Sequence, residues 1–387
     1  MRTGITSITR RRGADRTAGG ARRRAAAVAV SAAVLLAGLT SAAPAKAVDP
    51  APPEFYGVAA STALTAADYQ KLALANIRTV RIVFHWPAIA KGPRDYNWLN
   101  VDGSVIHAAA AGVTLIPELS GSPGFVSDDP NRPPLDSVEE RALWQDFVRS
   151  AVERYGPEGE FWDFVRQCPP RPGHCRPDLP YRPIQIWQVW NEPNLGPTWL
   201  PNPSPAEYAD LLSLTSDAVH GVDPGAEVIT GGIVPGGRGA AGSIPQNDFL
   251  AALYQRGAAE DFEGLDLHPY QRKPKQARAR VREGRAMMQA YGDGATPIWI
   301  TEIGWSVKGP KGDDQVTNRK GQAKRLAQMM EILTAERVRL NIRLASWFTY
   351  LDGVPLCEWC HGAGLFDAEG NAKPAWKKYV DVTGGQR

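Results

Sequence analysis

From residue 55 onward the chain repeats one pattern eight times: a short β-rich apolar run, then a stretch with helical spacing. The runs fall at 55–60, 79–84, 113–119, 184–189, 227–234, 264–268, 297–303 and 344–350. Strands alternating with helices pair in parallel, because each helical crossover returns the chain to the same end of the sheet. Eight such units in series predict an α/β protein, a single-domain (β/α)8 TIM barrel. The helices are expected at 66–76, 97–111, 138–155, 204–219, 249–254, 269–291, 322–336 and 374–380. The fourth has a defined start. Ser204 suits the cap, Pro205 the first turn and Glu207 the far side of a capping box. Tyr208, Leu211, Leu212, Thr215 and Val219 then recur at helical spacing. Only 156–183, rich in Pro and Gly, breaks the rhythm; it is read as a surface insertion ahead of the fourth strand.

Residues 1–47 are expected to lie outside this fold. Arg10, Arg11, Arg12, Arg22, Arg23 and Arg24 precede an apolar stretch from Ala25 to Leu39, and Ala45-Lys46-Ala47 offers a small-x-small cleavage site. That arrangement predicts a secretory signal peptide, too short in its apolar part to span a bilayer, and a catalytic domain at 48–387. The first 47 residues hold nine of the 44 Lys and Arg and one of the 41 acidic residues. The remainder carries 35 bases against 40 acids, so the basic balance belongs to the leader. No Lys/Arg-rich patch is left to suggest nucleic acid. A secreted, extracellular monomer with no membrane contact after leader removal is expected. Four cysteines suit an oxidising compartment. The simplest pairing joins Cys168 to Cys175 and Cys357 to Cys360, though four cysteines allow three connectivities.

Two of the eight runs end in a glutamate: Trp190-Asn191-Glu192-Pro193-Asn194 and Ile300-Thr301-Glu302-Ile303-Gly304-Trp305. The ends of parallel barrel strands open on one face, where such barrels keep their chemistry. Two carboxyl groups converging there suit cleavage of a glycosidic bond. One gives a proton to the leaving oxygen, and the other attacks the anomeric carbon or activates water. One must therefore stay protonated while its partner stays ionised. Asn191 is placed to hold a sugar hydroxyl. The sequence contains no metal-binding constellation and calls for no cofactor.

These segments resemble clan A retaining glycoside hydrolases. Trp187-Gln188-Val189-Trp190-Asn191-Glu192-Pro193-Asn194 is most similar to glycoside hydrolase family 39 and family 5-like enzymes. Tyr155-Gly156 followed by Phe161-Trp162, and Tyr96-Asn97-Trp98 leading to Asp102, fit the same pattern. The resemblance implies an exported hydrolase of a β-linked oligo- or polysaccharide, with Glu192 as acid/base, Glu302 as nucleophile and retained configuration. It also implies that Arg81 steadies the nucleophile, that His268 and Tyr270 stand at the end of the sixth strand, where a tyrosine contacts the nucleophile, and that Trp347 forms an aromatic floor beneath the sugar. Trp305, Trp86, Phe125 and Trp199 are further aromatic candidates for sugar contact. Glu118, Asp266 and Asp352 also lie near strand ends and could hold a hydroxyl or an arginine, and His85 could line the pocket. Two features depart from the pattern: Ile303-Gly304-Trp305 is closer to family 5-like or exopolysaccharide-hydrolase relatives than to family 39 xylosidases, and the cysteine-bearing loops have no counterpart in it. Transglycosylation and non-catalytic carbohydrate binding are the alternative functions.

Overall fold

The computed structural model describes residues 51–167, 175–236, 242–353 and 357–386. Eight parallel strands form one sheet: β1 Tyr56–Ala59, β2 Thr79–His85, β3 Thr114–Ser120, β4 Ile186–Val189, β5 Glu227–Thr230, β6 Leu265–Asp266, β7 Ile298–Ile303 and β8 Ile342–Phe348. The sheet closes on itself. β8 pairs with β1, and Ile229 bridges Gly264 where β5 meets β6. Eight helices follow the strands in turn: α1 Ala66–Leu74, α2 Leu99–Ala111, α3 Val138–Tyr155, α4 Pro205–His220, α5 Gln246–Gln255, α6 Pro274–Ala290, α7 Arg319–Glu336 and α8 Pro374–Thr383. This is the expected (β/α)8 barrel, with strand ends shifted by a few residues. No described helix is long and apolar enough to cross a membrane.

Helix starts follow the local chemistry of the sequence. Thr65 and Asp68 form a reciprocal capping box at α1. At α4, Ser204 accepts from the Glu207 amide as expected. Glu207 does not complete the box, because its carboxylate accepts from Trp199 Nε1 at 3.1 Å. The apolar side chains of the strands and helices then merge into one shell of packed residues around the barrel. Ile116, Ile229, Trp299 and Leu344 fill the barrel interior as a separate cluster.

The insertion at 156–183 is only partly a surface feature. It contains a short helix, Glu160–Arg166, whose Phe161, Trp162 and Val165 are buried. Tyr155 meets Phe161 with the ring planes tilted by 54°, so the segment extends the core beside α3. Cys175 is disulfide-bonded, while its expected partner Cys168 lies outside the described residues. Cys357 is joined to Cys360, as the local pairing anticipates.

One ion pair fixes the loop after β8. Lys373 is completely buried, and its ammonium donates to both oxygens of Asp352 and to the Gly362 carbonyl. Asp352, a sequence candidate for sugar contact, is committed to this lysine and to the Gly364 amide. Removing one partner leaves an uncompensated buried charge. Lys373→Met is expected to cost about 3–5 kcal/mol in urea unfolding, and Lys373→Met combined with Asp352→Leu to recover most of it.

Candidate active site

The barrel mouth is organised around Arg81. It comes from β2, is 4% exposed, and spreads its planar fork over four acceptors. Nη1 meets Glu302 Oε1 at 2.5 Å, and Nε meets Gln188 Oε1 at 2.5 Å. Nη2 reaches Asn191 Oδ1 at 2.7 Å and Glu118 Oε2 at 2.5 Å. Guanidinium matches this task because its donors diverge in one plane. Three strands, β3, β4 and β7, are thus tied to a single cation carried by a fourth, β2. Ser120 Oγ donates to the other oxygen of Glu118.

Glu302 owes its aim to an irregularity in β7. Ala345 on β8 pairs with Ile300, and Trp347 with Ile303, so two steps on β8 face three on β7. The extra residue is a β-bulge, which turns adjacent side chains toward the same side. Thr301 and Glu302 consequently both join the interior network. Thr301 donates to Asp266 Oδ2, and Glu302 accepts from Arg81 and from the Tyr270 hydroxyl at 2.8 Å.

Glu192 sits on a strained turn after β4. Trp190 has φ 66° and Glu192 has φ 46°, the left-handed region that costs a bulky residue roughly 1–3 kcal/mol. Surrounding contacts hold the turn. Trp190 N–H donates to Leu119 O, its indole N–H donates to Thr198 O, and Thr198 Oγ1 donates to the Glu192 carbonyl. Asn194 clamps the next stretch by bonding both Val234 and Ile244. The turn lifts the Glu192 carboxyl, partly exposed, to face Glu302.

His268 connects the two glutamates. One oxygen of Glu192, one of Glu302 and a His268 ring nitrogen all lie within 4.8 Å of one another. The Thr301 hydroxyl gives its hydrogen to Asp266, so His268 Nε2, 2.9 Å from Thr301 Oγ1, must donate to that hydroxyl. Nδ1 lies 3.0 Å from Glu192 Oε1, and a proton must occupy that contact, carried by one partner or the other. Burial opposes charging of His268, but Glu302, Asp266 and Glu192 outweigh it and push its pKa up to about 10. Gly232 makes room for the ring, since a Cβ there would lie 2.0 Å from His268 Nε2.

Burial pushes the Glu302 carboxyl above its usual range, with His268 and Arg81 pulling the other way. Tyr270 donates to its ionised form and also favours ionisation.

The fold therefore brings together Glu192, Glu302, Asn191, Arg81, His268 and Tyr270. Two aromatic assignments are overturned. Trp347 is completely buried in the shell around the barrel, with its indole N–H on Ala363 O. Leu344 packs in the barrel interior, so along β8 the inward positions are Leu344, Ser346 and Phe348, and Trp347 points out toward the helices. Trp305 is also completely buried, donating to Gln271 O at 2.8 Å and packing on Trp347. Trp86 and Trp199 are core residues too, whereas Phe125 is 41% exposed. Half-buried His85 is held below its usual pKa by burial, which Glu118 partly offsets. Glu118 and Asp266 serve the network as partners of Arg81 and Thr301.

Sequence reasoning missed Gln188 and Thr301. Gln188 bridges Arg81 to Asp266 and Thr230 O, and is completely buried. Its signal was available: an amide inside an apolar strand needs buried partners. Phe348 and Trp359, stacked with ring centroids 5.9 Å apart, were also missed.

His268 provides a test of these electrostatics. Its folded pKa is raised above the ordinary 6.5, so its contribution to stability is complete below that value and is lost as pH rises toward 10. His268→Gln is expected to be clearly less stable than the unmodified chain at pH 6, with the gap narrowing toward pH 10 in urea unfolding.

No sequence-family profile matches this chain, and no curated protein sequence matches it. Solved structures do share its architecture. A family 39 glycoside hydrolase from Bacteroides cellulosilyticus superposes with a TM-score of 0.62 at 17% identity, over 87% of this chain and 65% of that one. A family 39 β-xylosidase from Caulobacter crescentus gives 0.59 at 21% identity, over 87% and 72%. A xylanase from Thermotoga petrophila gives 0.53 at 16% identity, over 85% and 93%. The chain spans just under two thirds of the first of these proteins. At such identities the likeness is one of fold.

Proposed function

We propose that this chain is a retaining glycoside hydrolase acting on a β-linked oligo- or polysaccharide, with Glu302 as nucleophile and Glu192 as acid/base. The observation that carries the reading is the carboxyl pair itself. One oxygen of Glu192 and one of Glu302 lie within 4.8 Å across the barrel mouth. Retaining enzymes hold their carboxyl groups roughly 5–5.5 Å apart, while inversion needs about 6.5–9.5 Å to admit a water. The resemblance of both glutamate segments to clan A enzymes and the shared barrel of the solved structures support the same reading.

The surroundings divide the work between the two carboxyl groups. Glu302 is bound through one oxygen by Arg81 and through the other by Tyr270, both donors that favour its carboxylate. It is suited to attack the anomeric carbon and form a glycosyl-enzyme. Glu192 meets His268 Nδ1 at 3.0 Å and faces the barrel mouth, where it is suited to hand a proton to the departing oxygen. In the second step the same carboxylate takes a proton from water, and the sugar leaves with its original configuration. Asn191, held by Arg81, is placed to meet a sugar hydroxyl.

The first 47 residues are proposed to direct export and be removed, so the enzyme meets its glycan outside the cell, as a monomer. The neighbouring structures include a β-xylosidase and a xylanase, which makes β-xylosides the first substrates to test.

The test uses the full chain with 4-nitrophenyl β-xyloside, β-glucoside, β-mannoside and β-galactoside, beside β-linked oligosaccharides. The first sugar released is expected as the β-anomer by NMR. Glu302→Gln is expected to abolish turnover. Glu192→Ala should lose about 10²–10⁴-fold on substrates whose leaving group needs a proton. Azide should restore turnover in Glu192→Ala by yielding a β-glycosyl azide. An α-anomer as first product, or full activity in Glu302→Gln, would refute the assignment. Binding without product across the whole panel would point to a carbohydrate-binding barrel, and longer oligosaccharides among the products to transglycosylation.

Glu302 must be ionised to attack, and burial raises its pKa. Activity is therefore expected to fall as pH drops through a value above the ordinary carboxylate range. Tyr270→Phe removes a donor to the ionised form, so it should move this acidic limb of kcat/KM to higher pH.

A further inference from the structure

Trp359 stands outside everything the proposed reaction uses, yet it touches a residue bonded to Glu302. It belongs to a four-residue turn, Cys357-Glu358-Trp359-Cys360, closed by the disulfide and by the Cys360 N–H on Cys357 Sγ at 3.0 Å. Cys360 is buried in an apolar cluster with Ala59, Phe348 and Ala363 at the mouth of the barrel. Trp359 stacks on Phe348 with planes 18° apart, and meets the Tyr270 ring edge-to-face at 5.4 Å and 84°. Tyr270 in turn donates to Glu302 Oε2 at 2.8 Å.

Several features keep this indole in place, and none is a hydrogen bond of its own. Its Nε1 is buried and meets no acceptor among the described residues. Ring packing and the turn therefore set its position. After the turn, the Gly362 carbonyl accepts from Val307 N, Gln322 Nε2 and Lys373 Nζ, at 3.0, 3.1 and 3.0 Å. Before Trp359, the disulfide closes the turn. Gly304, two residues after Glu302, leaves room for the backbone of Phe348, on which the indole stacks. A Cβ there would lie 2.4 Å from the Phe348 carbonyl oxygen and 3.5 Å from the tip of the Trp359 ring.

We propose that Trp359 is a positioning residue that holds the Tyr270 phenol against Glu302, and that the Cys357–Cys360 turn exists to deliver it. The physical reason lies in the geometry of Tyr270. A phenol bonds a carboxylate well only over a narrow range of distance and angle. The Tyr270 ring carries its hydroxyl at the far end, so a small tilt of the ring displaces the hydrogen bond. Trp359 presses on that ring and is itself backed by Phe348. Without it the ring gains room to tilt, and Glu302 loses a donor to its ionised form. The consequence for turnover rests on Glu302 being the nucleophile; the consequence for its carboxyl group does not.

The groups facing Glu302 are Arg81 from β2, Glu192 after β4, and His268 and Tyr270 after β6. Of these, Tyr270 meets the Trp359 ring. The experiment is a ¹³C-carboxyl NMR titration of the full chain labelled at glutamate, with Glu302 assigned from Glu302→Gln. Trp359→Leu should raise the Glu302 pKa in the same direction as Tyr270→Phe. In the Tyr270→Phe background it should add little, because both changes remove one interaction. Cys357→Ser with Cys360→Ser, which keeps Trp359 but frees its turn, should raise it part of the way, and this pair serves where Trp359→Leu does not fold. Trp359→Phe, which keeps a ring on Tyr270, should lie closest to the unmodified chain. On whichever 4-nitrophenyl β-glycoside is turned over, Trp359→Leu should lose about tenfold to a hundredfold in kcat/KM, most of it on the acidic limb. An unchanged Glu302 titration in a folded variant, or a shift that adds in full to that of Tyr270→Phe, would overturn the proposal. Failure of the unmodified chain to turn over any glycoside counts against the hydrolase reading alone, since the titration needs no substrate.

Discussion

The architecture of the site depends on one buried cation. Arg81 takes its charge out of water, which is costly unless every donor is met and opposite charge lies close by. The barrel supplies acceptors for four of the five N–H donors of Arg81: Glu118 from β3, Gln188 and Asn191 from β4 and just beyond it, and Glu302 from β7. Each of these acceptors is thereby fixed in direction. The guanidinium acts as a template, and removing it would leave Glu118 buried without a counter-charge and Glu302 with His268 alone.

A second cation, His268, completes the balance. It lies between Glu192, Asp266 and Glu302, and those carboxylates hold its proton far above the usual range. Arg81 and His268 thus face four carboxyl groups, Glu118, Asp266, Glu192 and Glu302, with one proton shared between His268 and Glu192. Under the proposed reaction this excess of negative charge suits the bond-breaking step. The sugar becomes oxocarbenium-like, and fixed negative charge in a partly dry site stabilises it without reorganisation. The bulge in β7 and the left-handed turn at Trp190 to Glu192 serve the same end. Each spends local regularity to bring a carboxyl group to the centre.

Much of this was legible in the chain. The two glutamates stand out because each follows an apolar run, and the end of a barrel strand is where such a residue reaches the mouth. Arg81, His268 and Tyr270 were reachable through the resemblance of the surrounding segments. Trp347 and Trp305 show where that reading stops. In β8 the positions from Leu344 to Phe348 are all buried, so no alternation of polar and apolar residues marks which face is inward. A shift of one residue moves a side chain to the other face. Phe348 took the inward place and Trp347 the outward one. In β7 the bulge adds a residue that no local pattern announces.

The sequence by itself determined the alternation of strands and helices, hence a parallel barrel, and placed two glutamates at one end of it. It could do so because strand and helix periodicities are local, and parallel strands share a direction. Only the tertiary structure decided which side chains meet. The fork of Arg81 joins positions 221 residues apart, Gln188 and Thr301 become partners of Asp266, and a cystine turn carries Trp359 onto Tyr270. Those contacts arise from register, bulges and barrel closure, which depend on all eight strands at once.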